Sequence, residues 1–388
     1  MELGPRHREM LRHLWQTGPA SRSELATRMS LRPNTVGELA AELIAARVLK
    51  EGEPDTRRVG RPRIPLTIDP AGRQVLGIAI SPGRSQVLPL NLLGRPAAQG
   101  ADVPLPIAGV LDPIAETRAL IEPFLGPHIL AVGLTVTGFI DRESREILFS
   151  SVLPLTHSIS LEPLWQAAGG VTGGVNMRVG NDMHAAAARW MMDQGEPEED
   201  VLLVQFGDTS LGAAYLIGGR LSRGSIYSAN ELGHSRFPAD THICYCGQTG
   251  CLEQICGSDY LSFLDHAAAG TDPGDGTDPG DGTRADLARR VDAFTEPGAD
   301  PSLDHILEYL ALGIGNVVNF CRPHRLVLTT ALPVSDAFYA ELVRRIGEGL
   351  LPVLRDRVRR EIWVSPTRCQ AETAAWLALT SLYRDGWD

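Results

Sequence analysis

Four residues within a short stretch have the types and spacing to hold a metal: His234, Cys244, Cys246 and Cys251, in the string ELGHSRFPADTHICYCGQTGCLEQICG. One imidazole and three thiolates complete a tetrahedral zinc shell with no open position, which is the chemistry of a structural site rather than a hydrolytic one. Gly247 and Gly250 let the chain turn tightly between ligands. His242 is a competing ligand and Cys256 a further one, and the alternative for the whole set is buried free thiols. Cys321 and Cys369 lie far along the chain and read as apolar core residues.

A second constellation is Asn181-Asp182 ahead of a helical stretch, Glu231 three residues before His234, and Glu253 just after Cys251. Carboxylates and an amide converging on a cleft hold several hydroxyl groups in fixed geometry, as a sugar requires. Taken alone, Asp182 reads equally well as a helix cap.

The elements that must position these residues alternate. Strand-like runs QVLGIAI, ILAVGLTV, NMRVG, DVLLVQFG and HRLVLTT are interleaved with helical stretches such as Asp182 to Met192, Asp304 to Asn319 and Ala337 to Gly349. That pattern predicts an α/β fold in two lobes. The unit GTDPGD, repeated over Gly270 to Asp281, is a Gly/Pro/Asp loop and lacks the terminal Glu of a calcium loop.

The N-terminal segment is different in kind. Met10, Leu11, Leu14 and Trp15 recur at helical spacing, and Gly18-Pro19 ends that helix. Ser21 and Glu24 form a capping box for a second, short helix, and Pro33 opens a third that turns Val36, Leu39, Leu43 and Ile44 inward. Strands at Val48 to Lys50 and Ile64 to Ile68 flank the loop EGEPDTRRVGRPR. The whole predicts a winged helix-turn-helix over residues 1–68. Its third helix presents Arg32, Asn34, Thr35 and Glu38 to a major groove, and its wing carries Arg57, Arg58, Arg61 and Arg63 to phosphates or a minor groove. The GRPR tetrapeptide resembles minor-groove arms. The alternative is a small helical dimerisation domain with a solvated charged loop.

Charge agrees with this division. Residues 1–68 hold 12 Arg/Lys against 8 Asp/Glu, whereas the whole chain is at -11, so the remainder stands at -15. The basic end is where an acidic polymer binds. Six Cys in 388 residues are too few for a disulfide scaffold, and a 43% apolar composition is ample for sizeable cores. No apolar run reaches the roughly 18 residues of a membrane helix, and MELGPRHREM has no signal-peptide core, so a cytoplasmic protein without a membrane partner is expected.

The strings SRSELATRMSLRPNTV, GRP, GNDMHAAA, ELGH and CYCGQTGCLE, in this order, resemble those of the ROK group of transcriptional repressors and sugar kinases over nearly the full length. Within that family the chain is similar to the winged helix-turn-helix branch that includes xylose and N-acetylglucosamine repressors. The resemblance implies an N-terminal winged helix-turn-helix followed, over residues 69–388, by an actin-like (ribonuclease H-like) two-lobed sugar-kinase fold. It implies sugar contacts from Gly138, Asn181, Asp182, Glu231, His234 and Glu253, with Asp182 at the family's general-base position and His234 touching both zinc and sugar.

Departures from the family pattern point away from phosphoryl transfer. Where the kinases carry an Asp-Ile-Gly-Gly-Thr loop, this chain has Ala79-Ile80-Ser81-Pro82-Gly83-Arg84. The second phosphate loop reads Asp208 to Ala214, with side chains where backbone must approach phosphate, and a third glycine cluster is replaced by Thr329-Thr330-Ala331-Leu332. The expected protein is a sensor with structural zinc and no ATP, which binds a sugar or sugar phosphate and operator DNA. A homodimer or dimer of dimers follows from the symmetry of such operators. The alternatives are an ATP-dependent sugar kinase with a DNA-binding appendage, and regulation by a protein partner. Arg61→Ala is expected to weaken operator binding and to lower the slope of log affinity against log salt by about one phosphate contact; an unchanged slope would remove the wing from the interface.

Overall fold

The computed structural model describes residues 3–54, 63–81, 83–104, 113–141, 143–150, 157–172, 177–195, 198–207, 210–222, 230–237, 243–257, 261, 264, 281–330, 332, 335–365 and 369–384. Arg57, Arg58, Arg61, His242, Pro82, Asp208, Thr209, Ala331 and residues 270–280 of the GTDPGD repeat lie outside this set. The chain folds into two compact units, one of Met1–Gly195 with Ser225–Tyr227 and Thr367–Asp388, the other of Glu196–Gly224 and Ser228–Pro366.

The first unit opens with helix α1 (Pro5–Thr17), strand β1 (Ala20–Ser21), helices α2 (Arg22–Arg28) and α3 (Pro33–Ala45), and strands β2 (Leu49–Glu51) and β3 (Pro65–Ile68). The capping box forms as its spacing predicts: the Ser21 hydroxyl accepts the Glu24 amide at 3.4 Å, and the Glu24 carboxylate accepts the Ser21 amide at 2.8 Å. Helix α3 buries Val36, Ala40 and Leu43, while Leu39 and Ile44 are half-buried. Strand β3 lies between β1 and β2, antiparallel to both.

The same unit continues with β4 (Gln74–Ser81), β5 (Arg84–Asn91), β6 (Ala101–Pro104), α4 (Pro113–Ile121), β7 (Ile129–Val136), β8 (Phe139–Asp141), β9 (Glu146–Phe149), β10 (Ile159–Ser160), α5 (Glu162–Thr172), β11 (Met177–Gly180) and α6 (Asp182–Gln194). Its five-stranded sheet has the order β11-β7-β4-β5-β6, with β11, β7 and β4 mutually parallel. Strands β8, β9 and β10 form a small antiparallel sheet.

A helix from far along the chain, Gln370–Tyr383, closes this unit. It packs on β4, β5, β7 and β11 and also on α6 and α1. The approach is so close that a Cβ at Gly77 would lie 1.9 Å from the Ala371 carbonyl oxygen, and one at Gly133 would lie 2.0 Å from that of Ala374. One apolar cluster runs from Met10, Leu25 and Leu43 of the N-terminal segment to Val75, Leu90, Trp376 and Leu379. The N-terminal segment and the sheet therefore share a core.

The second unit holds β12 (Val201–Phe206), β13 (Leu211–Ile217), β14 (Arg220–Leu221), α7 (Leu252–Ile255), α8 (Asp281–Asp292), α9 (Pro301–Cys321), β15 (Arg325–Thr330), α10 (Asp336–Gly349), α11 (Pro352–Arg355) and β16 (Arg359–Ile362). Its sheet order is β14-β13-β12-β15-β16, with β12, β15 and β16 parallel. Helices α9 and α10 pack together over a core that includes Leu202, Leu310 and Phe338. Asp300 caps α9 by accepting the Leu303 amide at 3.1 Å.

Gly77→Val drives methyl groups into helix backbone that cannot rotate away, so a loss of about 1–3 kcal/mol or more is expected in denaturant unfolding. Gly37→Ala, in α3 where a Cβ meets nothing within 4 Å, is expected to gain about 1 kcal/mol. Equal effects of the two substitutions would contradict the close approach.

Candidate metal centre and ligand-binding residues

His234 closes a single helical turn, Leu232–His234. The cysteines sit on a folded-back loop where Ile243 pairs with Thr249 and Arg236 with Cys251. The Cys244 amide donates to the Gln248 carbonyl at 2.7 Å and the Gly247 amide to the Cys244 carbonyl at 2.8 Å. Gly247 and Gly250 take φ of 83° and 76°, a region that disfavours side chains and makes the tight turn possible.

This folding brings one donor atom each from His234, Cys244, Cys246 and Cys251 within 4.8 Å of one another. Cys246 Sγ lies 3.6 Å from Cys251 Sγ, and Cys244 Sγ lies 3.9 Å from His234 Nδ1. A tetrahedron with metal–sulfur bonds of about 2.3 Å and metal–nitrogen bonds of about 2.0 Å has edges of roughly 3.5–3.8 Å. The donor set fits such an ion in both chemistry and spacing. Burial pushes the Cys244 thiol well above its ordinary range and the Cys251 thiol up to about 11. An ion bound here would displace those protons. Cys256 is fully buried with its sulfur toward the Ile306 carbonyl, 4.0 Å away, and is not part of the cluster.

The His234 ring has two working edges. Nδ1 faces Cys244, while Nε2 lies 4.0 Å from a Glu231 carboxylate oxygen and 3.9 Å from one of Glu253. The three second-unit residues singled out from the sequence are thus brought together. Glu253, at the start of α7, accepts the Leu211 amide at 3.1 Å on one oxygen and the Tyr245 hydroxyl on the other. Its burial raises the carboxyl above the usual range, against the lowering effect of those hydrogen bonds and of His234.

Tyr245 was not apparent from the sequence. It stands between two cysteine donors, its ring is edge-on to His234 at 5.6 Å, and its hydroxyl holds Glu253. The available signal was its position inside the Cys-Tyr-Cys string.

Gly138, Asn181 and Asp182 belong to the first unit. Parallel pairing of Gly180 with Thr135 sends the chain out of β11 and β7 on the same side of the sheet, at Asn181 and toward Gly138. Gly138 has φ of 147°, and a Cβ there would lie 2.4 Å from the Phe149 carbonyl oxygen. Asn181 is the N-cap of α6, accepting the Met183 amide at 2.8 Å, and Asp182 accepts the same amide at 2.9 Å. These cap oxygens stand just beyond the end of β11.

In the N-terminal segment of this unit Arg32 and Asn34 are exposed at the start of α3, with Thr35 half-buried. Arg63 is exposed and lies 3.6 Å from a Glu24 carboxylate oxygen. At the position of the first phosphate loop, β4 runs on through Ser81 and pairs it with Arg84, the first residue of β5. Thr329 and Thr330 remain strand residues of β15, and the Thr330 hydroxyl accepts the Leu332 amide at 3.0 Å.

Two sheet-based units and a His/Cys cluster beside paired carboxylates define a mixed α/β protein with a candidate metal centre. The chain belongs to the ROK family, whose model matches residues 119–368. The DNA-binding transcriptional repressor Mlc of Escherichia coli K12 is 26% identical over 363 residues, covering 89% of this chain and 83% of Mlc. A glucokinase of Streptomyces coelicolor is 32% identical over 155 residues, covering 39% of this chain and 46% of that enzyme. A crystal structure of a ROK family transcriptional regulator, a homolog of E. coli MLC, superposes with a TM-score of 0.75 at 21% identity, over 98% of this chain and 96% of that one. That likeness is one of fold. Among the described residues no helix is long and apolar enough to cross a membrane.

Cys246→Ser is expected to abolish stoichiometric metal by elemental analysis of the purified protein; one retained equivalent would contradict this ligand set.

Proposed function

We propose that the chain is a sugar-responsive, DNA-binding transcriptional regulator, acting as a repressor, whose operator affinity changes when a sugar or sugar phosphate binds. The observation that carries this reading is the shared core: a three-helix segment with a small sheet is packed into the same apolar cluster as the lobe bearing Asn181 and Asp182. Residues 1–68 form the winged helix-turn-helix, with Arg32, Asn34 and Thr35 on the recognition helix and Arg57, Arg58, Arg61 and Arg63 in the wing. Residues 69–388 form the sugar-binding part, with Gly138, Asn181, Asp182, Glu231, His234 and Glu253 as sugar contacts. The similarity to a repressor across most of both chains supports the same division.

His234, Cys244, Cys246 and Cys251 hold a structural zinc. When bound, that ion neutralises the thiolates and fixes the loop. This chain's own groups do the rest: Tyr245 and the Leu211 amide orient Glu253, and His234 turns its second nitrogen toward the two carboxylates. A sugar hydroxyl donates to Glu253 or Glu231, and Asn181 and Asp182 take further hydroxyls.

Phosphoryl transfer fits less well. Ser81 pairs directly with Arg84 where the first phosphate loop would stand, and Thr329-Thr330 stay in a strand. The second reading, a sugar kinase, is favoured by Asp182 and by the segment similar to glucokinase. Two-fold operators call for a homodimer, and an inducer that weakens operator binding about 100-fold must bind the two states with a difference of about 2.7 kcal/mol.

Thermal unfolding against glucose, xylose, N-acetylglucosamine and their phosphates, with ATP-magnesium in parallel, separates the two. A sugar at 100 times its Kd is expected to stabilise the protein by about 2.7 kcal/mol, with no shift from ATP-magnesium. A clear ATP shift with Asp182-dependent turnover would establish the kinase instead.

A further inference from the structure

Helix α6 has its two ends at two different places of interest. Its first turn is Asn181 and Asp182, and its last turn reaches Trp15 of α1: the Trp15 indole N–H donates to the Met192 carbonyl at 3.3 Å. We infer that α6 transmits sugar occupancy to the DNA-binding segment, with Trp15 as the receiver. The inference rests on the sugar-sensor reading above and names how that sensor is wired.

At the first turn, Asn181 and Asp182 direct one side-chain oxygen each at the Met183 amide. A ligand hydroxyl that recruits either oxygen competes with the cap of α6, so occupancy and the seating of the helix are energetically linked. The 13 residues of α6 span roughly 20 Å. Nearly all its length is buried, from Met183 to Met191, and it packs along the closing helix, where the Thr380 hydroxyl donates to the Ala188 carbonyl at 3.4 Å. Packed in this way, the helix passes strain at its first turn along its length, because close-packed interiors have low compressibility.

Two routes lead from the C-terminal half of α6 onto Trp15 of α1. One is direct, through the Met192 carbonyl. The other runs through Arg189, whose guanidinium is paired with Asp193 and lies 3.9 Å over the Trp376 ring. Trp376 in turn meets the Trp15 ring edge-on at 5.9 Å, and Tyr383 meets it at 5.3 Å. Helix α1 is bound to the recognition helix by the common core and by His7 Nε2, 2.9 Å from a Glu42 carboxylate oxygen on α3. Trp15 is a residue of α1 on which α6 bears directly.

The test uses the full-length protein grown with 5-fluorotryptophan. Its six tryptophans give separate fluorine resonances, and Trp15 is assigned by its loss in Trp15→Phe or Trp15→Tyr. Glucose, xylose, N-acetylglucosamine and glucose 6-phosphate are titrated in turn, with calorimetry alongside. The expected result is that a sugar which binds by calorimetry moves the Trp15 resonance along the same saturation curve, while Trp165 on α5 stays fixed. Sugar binding with a silent Trp15 would overturn the inference alone; absence of binding by any of these sugars would overturn it together with the sensor reading. In a second arm, Trp15→Phe keeps an aromatic ring and removes the indole N–H donor. Its sugar affinity is expected within twofold of the parent, while the factor by which sugar changes affinity for a duplex selected from random-sequence DNA falls at least tenfold. An unchanged factor would overturn the inference, and by reciprocity the same loss must appear when sugar affinity is measured with and without that duplex.

Discussion

The contact of the Gln370–Tyr383 helix with the bare backbone of Gly77 and Gly133 is the constraint on which the first unit depends. With no side chain between them, helix and sheet approach closely, and Trp376, Leu379 and Tyr383 join the apolar cluster of the N-terminal segment. Tyr383 anchors that end by donating its buried hydroxyl to the Leu92 carbonyl at 2.5 Å. Remove the closing helix and β4, β7, α6 and α1 each lose a face at once. The N-terminal segment is consequently no tethered module: its core is partly made of residues drawn from the rest of the unit.

The second unit has a comparable economy at the His/Cys cluster. A single imidazole serves the cysteines with one nitrogen and two carboxylates with the other, and a tyrosine from the same loop holds one of those carboxylates. Order in the cysteine loop is therefore order in the carboxylates. A metal held by that loop would, through the same contacts, set the positions of Glu231 and Glu253 without touching either carboxylate.

Much of this was legible in the sequence because the signals are local. The capping box at Ser21 and Glu24, the proline opening α3, the five strand runs and the His/Cys spacing each lie within one short stretch of chain, and each forms at the residues that signal it. The closing helix was not legible as the keystone it is. Buried on nearly every side, it has no amphipathic stripe, and its partners lie from roughly two hundred to nearly four hundred residues earlier. Tyr245 escaped for a similar reason: a tyrosine between cysteines announces nothing until the loop folds back and its hydroxyl finds Glu253. The small antiparallel sheet of β8 to β10 was missed because its strands run to only two to four residues, too short for a period to register.

The closing helix also sets an order of events during synthesis. Translation proceeds from the N-terminus, so the three-helix segment and the first sheet emerge hundreds of residues before Trp376 and Tyr383 exist to cover them. Until then the apolar surface around Trp15 and Leu90 stays open, and the nascent chain carries a half-built core through most of its elongation. A chain released early therefore displays its N-terminal helices without the seat that orients them, and full length becomes a condition for the N-terminal segment to take its native form.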